Sequence, residues 1–127
     1  MKTCLVVDDS KVIRKVARHI LETLDFRVTE ACDGREALEQ VGLGVPRLVL
    51  LDLTMPVMDG FSFLDRLRGL PGCADVPVVV LSARDVTADE RDRLSEADRV
   101  LRKGDSSLQD IATELRKLDN RQATKST

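Results

Sequence analysis

A chain of 127 residues, 43% hydrophobic and 33% charged, is long enough for one domain with a real core and leaves little room for a second. Its formal charge of −2 offers no basic patch for DNA, and its apolar runs are far too short to span a membrane. Three cysteines without a C-x-x-C spacing, and a single histidine, argue against a disulfide framework or a zinc site. The cysteine usage points to a reducing cytoplasm, and the stretch after Met1 lacks the long apolar core of a signal peptide.

The first element is the β-branched run Leu5-Val6-Val7, with Cys4 read as a small buried hydrophobe and Asp8-Asp9-Ser10 as the stop. Ser10 is a good N-cap. Behind it Val12, Ile13, Val16, Ala17, Ile20, Leu21 and Leu24 recur at helical spacing, and Lys11, Arg14, Lys15, Arg18 and Glu22 fill the other face. His19 falls on that polar face and reads as solvated. Residues 26–31 alternate as a strand near a sheet edge. Asp33 and Glu36 have capping-box spacing, and Ala37, Leu38 and Val41 give a short helix ended by Gly44 and Pro46.

Leu48-Val49-Leu50-Leu51 then runs unbroken into Asp52, the pattern of a strand buried on both faces. Asp59 caps and Gly60 opens a third helix, with Phe61, Leu64 and Leu67 inward; Pro71-Gly72 breaks it. Phe63, Met55 and Met58 read as packing. Residues 77–83 form a second fully apolar strand with Ser82 at its end. Thr87 and Glu90 make another capping box, opening a helix poor in apolar residues and therefore expected to be the most mobile. Arg99-Val100-Leu101-Arg102 is a short strand followed by Lys103. Ser106 and Gln109 open a last helix with Leu108, Ile111, Ala112, Leu115 and Leu118 on its apolar face. The domain is expected over residues 1–119, with 120–127 a polar, flexible tail.

Five strands alternating with five helices give an α/β fold: a parallel sheet with helices on both faces, its winding restricted by right-handed crossovers. In such a sheet all strand ends lie at one rim, where ligands bind. That rim gathers Asp8, Asp9, Asp52, Ser82 and Lys103. Three carboxylates held close repel by roughly a few kcal/mol per pair at intermediate dielectric, and require positive charge. Lys103 supplies one charge. The acidic oxygens, with the Thr54 backbone carbonyl, make an all-oxygen set suited to Mg²⁺. The chemistry this permits is phosphoryl transfer to the Asp52 carboxylate, giving an acyl phosphate whose added charge can drive a switch. Each acid taken singly also has a bland reading as a turn or capping aspartate.

At these residues the chain resembles the receiver domains of two-component response regulators, of the single-domain kind seen in chemotaxis. The matching features are Asp8-Asp9, Asp52 before Met55-Pro56-Val57-Met58-Asp59-Gly60, Ser82-Ala83 and Lys103. The resemblance covers residues 3–118 and implies the doubly wound five-stranded parallel sheet with five helices, of flavodoxin-like type. It implies that Asp52 is the phosphoacceptor. Asp9, Asp52 and the Thr54 carbonyl would bind Mg²⁺, with Asp8 acting through water, and Ser82 and Lys103 would contact the phosphoryl group. It implies a histidine kinase or histidine phosphotransfer protein as donor, and a downstream protein bound through helix 4, strand 5 and helix 5. It further implies a phosphoprotein switch rather than a turnover enzyme, with autodephosphorylation allowed.

Two positions depart from the pattern. Val100 stands where the family carries an aromatic switch residue, and Gly104 where it carries proline. Arg84 and Thr54 flank the acceptor at places that influence hydrolysis in the family. Arg84 either reaches over the phosphoryl group or is a solvated loop arginine. The alternatives to a signalling regulator are a phosphate sink for a shared kinase and a phosphorylation-independent binding module. A haloacid-dehalogenase-type hydrolase is disfavoured, because Thr54 stands where that chemistry needs an acid.

Overall fold

In the computed structural model of the protein, β3 (Leu48–Asp52) is buried at every position, as an unbroken apolar run requires when helices cover both faces of a sheet. The structure describes residues 2–52, 60–82, 87–93, 99–102, 113 and 115–117, with the backbone alone for Ser82, Arg91, Arg93 and 99–102. Around β3 lie β1 (Thr3–Val7), β2 (Arg27–Ala31), β4 (Val78–Ser82) and β5 (Arg99–Arg102). All four pairings are parallel, and the strand order is β2-β1-β3-β4-β5. β2 is thus an edge strand, in keeping with its half-polar alternation. The helices are α1 (Lys11–Thr23), α2 (Gly34–Leu43), α3 (Gly60–Arg68) and α4 (Ala88–Arg93). Residues 113 and 115–117 are helical, inside the span expected for a fifth helix.

Side chains alternate across each strand, and so divide the core in two. Leu5, Val7, Val49, Leu51, Val78 and Val80 pack with Ala37 and Val41 of α2 and Phe61, Phe63, Leu64 and Leu67 of α3. Cys4, Val6, Leu48, Leu50, Val79 and Leu81 pack on the other side with Ala17 and Leu21 of α1 and with Leu115. Burial pushes the Cys4 thiol far above its ordinary range, so it serves as a packing group.

The local signals account for most element ends. Ser10 Oγ accepts from the Ile13 N–H at 3.3 Å and caps α1. At its other end, Phe26 N–H donates to Leu21 O and Asp25 N–H to Glu22 O, both at 3.1 Å, a Schellman closure with Asp25 at φ 66°. Thr87 and Glu90 form both halves of their capping box, at 2.9 and 3.1 Å. Gly72, at φ 78°, makes the turn beyond α3, and an Arg68 guanidinium nitrogen donates to Cys73 O at 3.1 Å and Val76 O at 2.6 Å.

Helix α1 departs from expectation in two ways. Val12, assigned above to the apolar face, is 70% exposed. It stands five positions before the buried Ala17, about 140° round the helix, so it points away from the sheet. Arg14 and Arg18, assigned to a solvated polar face, instead reach the edge strand. Arg14 Nε donates to Glu30 Oε1 at 3.1 Å, and Arg18 Nε to Glu30 Oε2 at 2.8 Å. His19 is exposed, as its polar-face position implies.

Candidate metal centre

The strand order reverses at β1, so the ends of β1 and β3 flank the crevice where an open α/β sheet takes its ligands. Register fixes what stands there. Val7 pairs with Leu51, so the next residues along the two strands are Asp8 and Asp52. One carboxylate oxygen from each of Asp8, Asp9 and Asp52 lies within 4.8 Å of the others. Asp8 and Asp52 are each only 2% exposed, while Asp9 is open to solvent. Two unit charges 4.8 Å apart repel by about 3 kcal/mol at an effective dielectric near 20, so the buried Asp8–Asp52 pair is costly without a cation beside it.

The donors are hard carboxylate oxygens without sulfur or imidazole, the set that Mg²⁺ or Ca²⁺ takes and zinc or copper does not. One exposed and two buried acids leave the outer side to water, which suits Mg²⁺, an ion that keeps several waters and few protein carboxylates. The residues present therefore fit a hydrated Mg²⁺.

The turn carrying the acids is tightly held. The Asp8 N–H continues the β1–β2 ladder to Ala31 O at 3.1 Å. Asp8 Oδ1 accepts from the Ser10 N–H at 2.9 Å. Asp8 O accepts from an Arg14 terminal guanidinium nitrogen at 2.7 Å. The Asp9 carboxylate makes no hydrogen bond or ion pair among the described residues.

Ser82 ends β4. Asp52 pairs with Leu81, so the Ser82 backbone lies one residue further along the same rim. Ser82 pairs with Arg102, the residue before Lys103. Val100 pairs with Val80 inside the sheet. Lys103, Thr54, Arg84 and Gly104 lie outside the described residues, as do Met55, Met58, Asp59 and the capping pair Ser106 and Gln109.

Of the residues that periodicity misplaced on α1, Arg14 is the one that reaches the acidic turn. A signal for it existed: Arg14 and Arg18 are like charges at i, i+4, an arrangement that disfavours a helix unless an acid sits between them, as Glu30 does.

At the same rim Cys32 opens the turn after β2. Its thiol donates to Glu36 Oε2 at 3.2 Å and lies 3.8 Å from Asp33 Oδ2. The bond to Glu36 first, then burial and the negative charges of Glu36 and Asp33, push the thiol above its ordinary range.

Residues 4–115 match the family model of the response regulator receiver domain. The chain is 36% identical over 115 residues to the gliding motility regulatory protein of Myxococcus xanthus, covering 90% of this chain and 15% of that protein. It spans 36% of each of two further curated relatives, so it corresponds to one part of much longer proteins. Among solved structures it resembles the Vibrio cholerae chemotaxis protein CheY4, with TM-score 0.85, 28% identity and coverage of 93% and 98% of the two chains. It also resembles the Thermotoga maritima response regulator TrrA in complex with Mg²⁺ and BeF, with TM-score 0.79, 28% identity and coverage of 93% and 99%.

Proposed function

This chain belongs to the response regulator receiver family, and from that premise we propose that Asp52 accepts a phosphoryl group from a histidine kinase or histidine phosphotransfer protein. The observation that carries the proposal is the convergence of Asp8, Asp9 and Asp52 at the end of β1 and β3. A carboxylate oxygen of Asp52 attacks phosphorus, the new O–P bond forms, and the donor's P–N bond breaks with the electron pair returning to imidazole. Asp8, Asp9 and Asp52 would hold Mg²⁺, with the Thr54 carbonyl as a further ligand and Asp8 acting through water. The ion supplies neutralisation of the phosphoryl oxygens, where transition-state charge lies. The Mg²⁺–BeF complex of the Thermotoga relative supports the pairing of a divalent cation with this fold.

Ser82 and Lys103 contact the phosphoryl group in this reading, one by a hydrogen bond and the other by its charge. Arg84 and Thr54 set access of water to the acyl phosphate, and hence its autodephosphorylation. The added negative charge at the rim favours a state with altered affinity for a separate protein, bound through α4, β5 and the fifth helix. Val100 contributes little to that change. The receiver unit occupies residues 1–119, with 120–127 as its tail, and works in the cytoplasm as a switch rather than as a turnover enzyme.

Incubation with acetyl phosphate and Mg²⁺, read by intact mass, tests the acceptor. The wild-type chain is expected to gain one phosphoryl group, and Asp52→Asn and the chelated sample none. Gain of the group by Asp52→Asn would sink the assignment.

A further inference from the structure

We propose that Arg14 is a positioning residue for the metal centre: it pins the Asp8–Asp9 peptide to the edge strand, and divalent-cation affinity depends on that pin. The inference rests on Asp8, Asp9 and Asp52 being a Mg²⁺ site.

Asp9 is exposed, and its carboxylate has no hydrogen-bond partner among the described residues to orient it. Its direction is set by the backbone that carries it. The peptide between Asp8 and Asp9 is planar, so fixing its carbonyl oxygen fixes the plane from which Asp9 departs. Arg14 grips that oxygen at 2.7 Å. The same guanidinium is anchored by Glu30 Oε1 at 3.1 Å, sixteen residues away on β2. Glu30 is in turn held by Arg18, whose Nε reaches Oε2 at 2.8 Å and whose terminal nitrogen reaches Val28 O at 3.3 Å. The Arg14 side chain is 17% exposed, so the grip is largely shielded from water.

The planar fork of arginine serves both acceptors at once. A lysine has one nitrogen on a flexible stem and cannot reproduce that geometry. Charge and position make opposite demands here. A cation beside three carboxylates weakens Mg²⁺ binding by repulsion, so losing Arg14 for charge reasons alone would tighten it. Losing the pin would loosen the Asp8–Asp9 turn and weaken it.

The chain has no tryptophan or tyrosine, so the test is calorimetric titration of Mg²⁺ into the full chain, with thermal midpoints by circular dichroism confirming that each variant is folded. Arg14→Lys keeps the charge and loses the fork; Arg14→Gln loses both. Each is expected to bind Mg²⁺ about tenfold more weakly, the scale on which outer-shell partners act. Arg18→Gln removes a Glu30 contact without touching Asp8, and is expected to retain wild-type affinity. Wild-type affinity in Arg14→Lys, tighter binding by Arg14→Gln, or an equal loss in Arg18→Gln overturns the inference alone. Absence of saturable Mg²⁺ binding by the wild-type chain overturns the metal reading and the inference together.

Discussion

The turn after β1 reads Asp8-Asp9-Ser10, and the turn after β2 reads Cys32-Asp33. They sit on paired strands, at the same rim, and each opens a helix. In the first, Ser10 caps α1, so neither aspartate before it serves as the cap, and both join the centre shared with Asp52. In the second, Asp33 is itself the cap, its Oδ1 accepting from the Glu36 N–H at 2.8 Å, and Glu36 is engaged by the Cys32 thiol. An aspartate after a strand therefore says little until the residue that caps the following helix is known. Where a serine takes the cap, the carboxylate is available for other work.

The largest effect should come from removing the exposed acid of the first turn. Asp9→Asn is expected to weaken Mg²⁺ binding by at least about 100-fold, beyond the usual cost of losing an outer-shell partner. In Mg²⁺-free buffer the same variant is expected to melt at a higher temperature than wild type, because one of three mutually repelling charges is gone. A lower melting temperature would mean that Asp9 has a stabilising structural bond, and would erase the contrast between the turns.

Asp33→Ala should do the reverse. Loss of the cap is expected to cost about 1 kcal/mol in chemical denaturation, with Mg²⁺ affinity unchanged by calorimetry. A fall in affinity would show that the second turn also serves the centre.

The smallest effect concerns Cys32. Its raised pKa keeps the thiol protonated to higher pH than a free cysteine, so alkylation in the folded chain should be slow at neutral pH and rise only above the ordinary value of 9.0. Glu36→Gln removes the largest cause and is expected to speed alkylation, measured by mass after timed quenching. No change in rate would remove Glu36 as the thiol's controlling partner.

Sequence patterns revealed features whose causes are local or shared by a whole strand. The run Leu48 to Leu51 announced a strand buried on both faces because burial acts on each residue independently. The Thr87–Glu90 box closes within one helical turn, so spacing alone found it. The acids at two strand ends were brought to one rim by the parallel arrangement inferred from alternation. Alternation alone left the order of strands open, since right-handed crossovers permit several windings; the flavodoxin-like order came from the family resemblance, and the sheet has it. Periodicity also failed for α1, where it reports a face but not a partner. Val12 fits the apolar repeat yet points away from the sheet, and Arg14 fits the polar face yet finds Asp8 O and Glu30. The Glu30 partner lies across a strand crossover, beyond the reach of any window on one helix.

The strand order also bears on how the chain is made. It turns once, at β1, and from there grows in a single direction through β3, β4 and β5. A polypeptide emerging from the ribosome thus finds for every new strand an edge already synthesised, with no slot held open for a later segment. Asp8 and Asp9 follow β1, and the residues that tie their turn to β2, Arg14 and Glu30, both precede β3 in the chain. The acids' repulsive third member arrives only with β3. The residues of the frame that tolerates the concentrated charge are thus synthesised before the charge is complete.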